Sequence, residues 1–204
     1  MNNEEKKIIA DLYASRLAAE KPTHEIVGWG SKDSQELRFK ILSEISEFQN
    51  ASVLDVGSGL VDFYFYLKKN HLQPLEYLGV DISGPLVEKS RETLQNEPHA
   101  RSLCLDIRQD SLNQMFDYVF CSGALNLKIL DNWTHTEVML RRMYELANRG
   151  VACNFLSTYV DFSHEKDFHH SPEKVFSFVK KFAKRVTLRH DYPLYEFTIY
   201  FYKN

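Results

Sequence analysis

The chain has 204 residues, 44% of them hydrophobic and 26% charged, with a formal net charge of −3. That length suits one domain whose core can hold it together without staples. The near-neutral balance removes the electrostatic case for a nucleic-acid or anionic-membrane surface, and no run reaches the roughly 18 apolar residues of a membrane span.

From the amino terminus, residues 4–20 set Ile8, Ile9, Leu12, Tyr13 and Leu17 at helical spacing, and Pro22 closes that helix. The start is charged at once and lacks the apolar core of about 7–15 residues that a secretory leader carries, so a cytoplasmic protein is expected. The stretch "HEIVGWGSKD" reads as a loop. Asp33 or Ser34 then caps a second helix running to about Phe48, with a stripe of Leu37, Ile41, Leu42, Ile45 and Phe48. Residues 1–49 are expected to form a helical cap or lid, and residues 50–204 the main domain.

Past residue 50 strands alternate with helices. "SVLDVG", "LEYLGVDI", "ARSLCLDI", "FDYVFCSG" and "GVACNFLS" read as strands, separated by helical runs such as "VDFYFYLKKN" and "GPLVEKSRETLQ". After the helix of "SPEKVFSFVKKFAK", the segments "RVTLRHDY" and "YEFTIYFY" alternate on a two-residue period, as a hairpin does. Continuous apolar strands separated by helices predict an α/β, doubly wound, seven-stranded and mostly parallel sheet, with a C-terminal antiparallel hairpin and an N-terminal helical cap. The odd set Cys104, Cys121 and Cys153 lies inside strand-like runs, which predicts buried free thiols and no disulfide framework.

The first strand ends at Asp55 and turns through Gly57-Ser58-Gly59 into a helix. Such a turn brings backbone close to a ligand at the carboxyl end of a sheet. Asp81 ends the second strand 24 positions after Gly57, where a carboxylate accepts from ribose hydroxyls. Asp55 is a poor neighbour for a pyrophosphate, and Asp106 ends the third strand where it can accept from an adenine amino group. No Gly-x-x-x-x-Gly-Lys-Ser/Thr run is present. An acid-lined pocket suits a cationic sulfonium better than a diphosphate, which favours S-adenosylmethionine over nicotinamide dinucleotides.

With "VLDVGSG", "YLGVDIS", "CLDI" and "FDYVFCSGALN" in that order, residues 50–204 resemble the class I S-adenosylmethionine-dependent methyltransferases. The resemblance implies Asp55, Gly57, Ser58 and Gly59 around the methionine moiety, and Asp81 with its neighbour Ile82 at the ribose. It implies Asp106 and Ile107 at the adenine, and Ser122 and Gly123 beside the reactive sulfur. Val61 departs from the family, which often has a third glycine there for close packing of helix and strand. In small-molecule methyltransferases such N-terminal helices lie over the cofactor. Trp29, Gln35 and Arg38 are therefore candidates for the methionine carboxylate or the substrate, Arg38 because its fork binds two oxygens at once.

"CSGALN" replaces the Asn/Asp-Pro-Pro-Phe/Tyr clamp of amino-methylating nucleic-acid enzymes, and Asn126 is a possible substrate contact. The loop "TYVDFSHEKDFHHS" offers Tyr159, His164, His169 and His170 as weak catalytic candidates, one histidine as a general base, without metal-site spacing. The expected activity is methyl transfer to a small-molecule acceptor, with no nucleic acid, membrane or metal, by a monomer or homodimer. The alternatives are a non-catalytic S-adenosylmethionine-binding protein or subunit, and an RNA or protein methyltransferase. The acceptor, and whether O, N, C or S is methylated, lie beyond the sequence.

Overall fold

A computed structural model describes residues 1–19, 21–47 and 50–203. The elements run α1 (Asn3–Ala18), α2 (Thr23–Ile26), α3 (Lys32–Ser43), β1 (Ser52–Val56), α4 (Asp62–Lys69), β2 (Glu76–Asp81), α5 (Gly84–Thr93) and β3 (Ala100–Cys104). They continue β4 (Phe116–Ser122), α6 (Asn132–Leu146), β5 (Ala147–Leu156), α7 (Pro172–Val179), β6 (Arg185–Arg189) and β7 (Glu196–Tyr202). One seven-stranded sheet has the order β3-β2-β1-β4-β5-β7-β6. The five strands β1 to β5 pair in parallel, and β7 runs antiparallel between β5 and β6. The hairpin expected near one edge therefore inserts its last strand inward and leaves β6 outermost.

Each face of the sheet carries its own apolar layer, as the continuous strand runs require. One layer joins Leu54, Val119, Met143, Phe155 and Phe197 beneath α6 and α7. The other joins Phe39, Leu42, Val53, Phe63, Tyr77 and Phe120 beneath α3 and α4. Strand order reverses between β1 and β4, and a cleft opens there at the carboxyl ends of the strands.

The N-terminal segment differs from its sequence reading in detail. The glycine-containing loop holds the short helix α2. Helix α3 is capped by Ser31, whose hydroxyl accepts from the Ser34 amide, and not by Asp33 or Ser34. An oxygen three residues ahead of a free amide is the geometry that satisfies it. Helix α3 ends at Ser43, short of the run to about Phe48 that its stripe predicts, because residues 44–47 turn out of the helix, and α1 ends at Ala18; Glu20, Phe48 and residue 49 themselves lie outside the described residues. Strand β3 stops at Cys104, so Asp106 and Ile107 stand in the turn beyond it. Cys121 and Cys153 are buried, but Cys104 is exposed because it ends an outer strand. Among the described residues no helix is long and apolar enough to cross a membrane.

Candidate functional site

A cavity of about 470 Å³ occupies the cleft between the β1 and β4 ends, within the size range of small-molecule sites. Its floor is the turn after β1. Gly57 has φ +73, and a Cβ there would overlap the methyl of Ala124, so the β1 and β4 turns touch only because Gly57 has no side chain. Val61 has φ +59 and is fully buried. A β-branched residue in the left-handed region is strained, and its packing against the core of α3 and α4 holds it there.

Three carboxylates crowd this floor. Asp55 is buried and accepts from the Tyr77 hydroxyl at 2.5 Å. Burial pushes its carboxyl up to about 7, against the pull of that hydrogen bond, and the charges of Asp81 and Asp62 push the same way. Burial also raises Asp62, which accepts from Gln35 Nε2 at 3.1 Å. Asp81 is raised by burial too, although it accepts from the Gly59 amide at 3.0 Å and the Ser83 amide at 2.9 Å. None of the three forms an ion pair within the described residues. Negative charge drawn out of water without an ion-pair partner is costly, and a positively charged ligand would offset that cost.

At the β3 end the charge is already balanced. Asp106 meets Lys6 Nζ at 2.5 Å and Arg108 Nη2 at 2.6 Å. Burial alone would raise its carboxyl, but the hydrogen bonds from Arg108 and Lys6 hold it at about 2. Lys6 belongs to α1, and further polar ties fasten that helix nearby. The Leu130 amide donates to Glu5 at 2.7 Å, and Arg108 donates to the Met1 carbonyl at 3.2 Å. Ile9, Tyr13 and Arg16 of α1 roof the cavity. Burial pushes the Tyr13 hydroxyl up to about 12, with the nearby charge of Asp81 adding to the effect. Ile107 is buried, and its carbonyl accepts from Arg142.

The opposite end is walled by Trp29. Its ring lies so close to Gly123, at φ +76, that any Cβ there would overlap the indole. The Gly123 amide donates to Asn154 Oδ1 at 2.8 Å, which fixes this turn from β5. The Arg38 guanidinium stacks on Trp29, 4.2 Å from the ring centroid. Its Nε donates to both oxygens of Glu196 at 2.8 and 2.7 Å, and its Nη2 also meets Glu196 Oε1. The bidentate grip expected of Arg38 toward a ligand carboxylate is thus made with a protein carboxylate. Among the described residues one nitrogen, Nη1, remains buried without a hydrogen-bond partner, as do Asn126 Nδ2, Ser58 Oγ and Ser122 Oγ. All four residues line the cavity.

The sequence candidates divide accordingly. Asp55, Gly57, Ser58, Gly59, Asp81, Ile82, Asp106, Ile107, Ser122, Gly123, Trp29 and Arg38 all line one cavity, with Gln35 and Asn126 among them. The loop candidates do not stay together. His164 reaches the cavity mouth. His170 is buried between Phe155 and Phe168, its Nε2 on the Leu125 carbonyl at 3.1 Å, and burial pushes it down to about 4. Tyr159 is exposed, hydrogen-bonds Glu173 and borders a separate shallow depression, and His169 lines neither. Among the described residues no three His, Cys, Asp or Glu side chains converge as a metal site. Sequence reading missed Lys6, Asn154 and Glu196. The last had a signal, a lone carboxylate opening the apolar strand "EFTIYFY".

Comparison with known proteins agrees with this layout. A family model described as a methyltransferase domain matches residues 54–153. A Mycobacterium tuberculosis protein that bears a provisional methyltransferase name, Rv1506c, is 32% identical over 155 residues, covering 72% of this chain and 90% of its own. The carboxy-S-adenosyl-L-methionine synthase of Helicobacter pylori is 27% identical over 54% of this chain and 46% of its own. Among solved structures, magnesium protoporphyrin IX methyltransferase from Synechocystis with bound S-adenosylhomocysteine superposes with a TM-score of 0.70 at 15% identity, over 98% of this chain and 99% of that one. The N-methyltransferase NodS of Bradyrhizobium japonicum, with the same ligand, gives 0.68 at 13% identity over 94% and 97%. At these identities the two structures speak for the fold.

Proposed function

This chain belongs to the class I S-adenosylmethionine-dependent methyltransferases, and on that premise we propose that it methylates a small molecule, holding the cofactor along the cleft between β1 and β4. The observation that carries the proposal is the set of carboxylates around the glycine turn, Asp55 buried and Asp62 and Asp81 half-buried, none of them in an ion pair among the described residues. When bound, S-adenosylmethionine supplies a methyl group on a cationic sulfur, open to in-line displacement.

The residues present fit that group. Gly57, Gly59 and Gly123 let the turns after β1 and β4 close against Ala124, Val27 and Trp29, where any Cβ would overlap those side chains, so backbone lines the cleft. Asp81 gives one oxygen to each of two backbone amides and keeps lone pairs for ribose hydroxyls. Asp106 would hold the adenine amino group, in place of Lys6. The Ser122–Gly123 turn, anchored by Asn154, would lie on the side of the reactive sulfur. Trp29 and the α1 roof exclude water, and aligning two reactants in a dry cleft supplies most of the acceleration such a transfer needs.

The test is calorimetry with S-adenosylhomocysteine and with NAD, followed by mass spectrometry of metabolites incubated with methyl-labelled cofactor. Binding of the adenosyl ligand alone is expected, with label on a small molecule. Asp81→Ala should weaken S-adenosylhomocysteine binding by about 1.5–3 kcal/mol. Dinucleotide binding without adenosyl binding, or label confined to protein or RNA, would overturn the proposal.

A further inference from the structure

Three polar groups form a cluster at the Trp29 end of the cavity. Glu196 opens β7, only 1% exposed. It pairs in register with Leu156 at the end of β5. The Leu156 amide donates to Asn126 Oδ1 at 3.0 Å, so the orientation of the Asn126 amide is set and Nδ2 is the unpartnered donor. Arg38, 9% exposed, reaches the same place from α3 and leaves Nη1 unpartnered. Trp29 connects this cluster to the turn at Gly123, stacking on Arg38 and closing on that glycine. All four residues line the cavity.

Resting on the methyltransferase reading above, we infer that Arg38, Asn126 and Glu196 form the acceptor subsite, that the acceptor presents a neutral hydroxyl to it, and that Glu196 is the base that takes the hydroxyl proton. Charge selects among the nucleophiles. The Arg38–Glu196 pair is balanced, so the cluster offers no net charge to an ion. A carboxylate acceptor would confront Glu196 in a dry site. An ammonium acceptor would confront Arg38 and two N–H donors that it has no lone pair to satisfy. A hydroxyl accepts from Arg38 Nη1 or Asn126 Nδ2 and donates to Glu196, whose oxygens retain lone pairs beyond those used by Arg38. Burial raises the Glu196 carboxyl above its ordinary range, in the direction a proton acceptor requires. Next to the cluster the cavity is lined by Leu127, Leu156 and Phe162, which suit an acceptor with an apolar face behind its hydroxyl.

In the step, the hydroxyl oxygen bonds to the methyl carbon as the carbon–sulfur bond breaks. Sulfur keeps that electron pair and becomes a neutral thioether. The hydroxyl proton passes to Glu196 and from there to water. The products are a methyl ether and S-adenosylhomocysteine, with no oxidant or reductant involved.

The experiment incubates the full chain with [methyl-13C]S-adenosylmethionine and a protein-free metabolite filtrate of the source cells. The linkage in the product is then identified by NMR before and after mild alkali. An alkali-stable methyl ether is expected. Glu196→Gln should lower turnover about 100-fold or more, the scale of a lost general base. Its affinity for S-adenosylhomocysteine should stay within about twofold, the result expected of a change confined to the acceptor subsite. Asn126→Asp keeps an acceptor for the Leu156 amide but replaces the donor with a charged acceptor oxygen, so it should raise the acceptor KM about tenfold or more. If Glu196→Gln fails to bind S-adenosylhomocysteine, Glu196→Asp retains the carboxylate and Asn126→Asp with the linkage decides. An alkali-labile ester, an N-methyl product, or Glu196→Gln turning over within about threefold of the parent would overturn the inference and leave the methyltransferase reading standing. A protein that binds S-adenosylhomocysteine yet labels no small molecule would overturn the small-molecule reading and this inference together.

Discussion

Helices α1 and α3 both precede the sheet and both show apolar residues at helical spacing, yet they are attached by different forces. Helix α3 buries Phe39, Ile41 and Leu42 in the layer beneath the sheet, and the Tyr200 hydroxyl of β7 donates to its Ile41 carbonyl. Helix α1 buries no residue fully, and Ile8 remains 62% exposed. It is fastened by charged and polar ties, Lys6 to Asp106 and Glu5 to the Leu130 amide, and by partly buried contacts of Tyr13 and Leu17 with Ile26, Leu60 and Leu86, over a cavity that its Ile9 and Tyr13 roof. Apolar burial is strong and independent of pH, whereas a polar latch is weaker and can be exchanged for a ligand. We read α3 as part of the core and α1 as the moving part of the lid.

The largest effect should come from α3. Leu42→Ala removes a fully buried side chain and should cost about 2–5 kcal/mol, read as a lower denaturant midpoint with unchanged slope. The corresponding change in α1, Ile8→Ala, should stay within about 0.5 kcal/mol. Equal losses at the two positions would break the comparison.

Removing residues 1–18 should weaken S-adenosylhomocysteine binding about tenfold or more, through loss of the roof and of Tyr13 beside Asp81, while the thermal midpoint moves by only a few degrees. In the intact chain the same ligand should slow amide exchange in α1 more than in α3. A ligand that protects α3 alone would place the moving element elsewhere.

The latch should also respond to acid. Asp106 is held at about 2 by Arg108 and Lys6, below the ordinary value of about 3.9. Its contribution is therefore complete above about pH 4 and is lost as pH falls toward 2. Amide-exchange protection in α1 should fall across that window before protection in α3 does. Simultaneous loss would mean that α1 is not separately fastened.

A small change is expected at Val61, on the α3 side of the glycine turn. Val61→Gly relieves a left-handed strain of about 1–2 kcal/mol but gives up about 1.5–3 kcal/mol of burial. The net should be a loss of about 1 kcal/mol in denaturant unfolding, with cofactor affinity nearly unchanged. A tenfold change in affinity would show that Val61 shapes the ligand site directly.

What the sequence determined by itself were the features carried by local order. Alternation of apolar strands with helices gave the doubly wound sheet, because both faces of each parallel strand must be buried. Asp55, the glycines of the turn, Asp81 and Asp106 were legible because the motif's chemistry is local in the chain and the fold places every strand end on one side. Tertiary structure decided which charges meet. Arg38 and Glu196 lie 158 positions apart, and no periodicity connects them. Only the insertion of β7 between β5 and β6 brings Glu196 beside Leu156 and Asn126. Lys6 and Asp106 meet only when α1 crosses the cleft. The stripe of α1 marked its helix, but how far that side is covered depended on the surface it meets: Tyr13 and Leu17 pack against Ile26, Leu60 and Leu86, while Ile8 stays exposed.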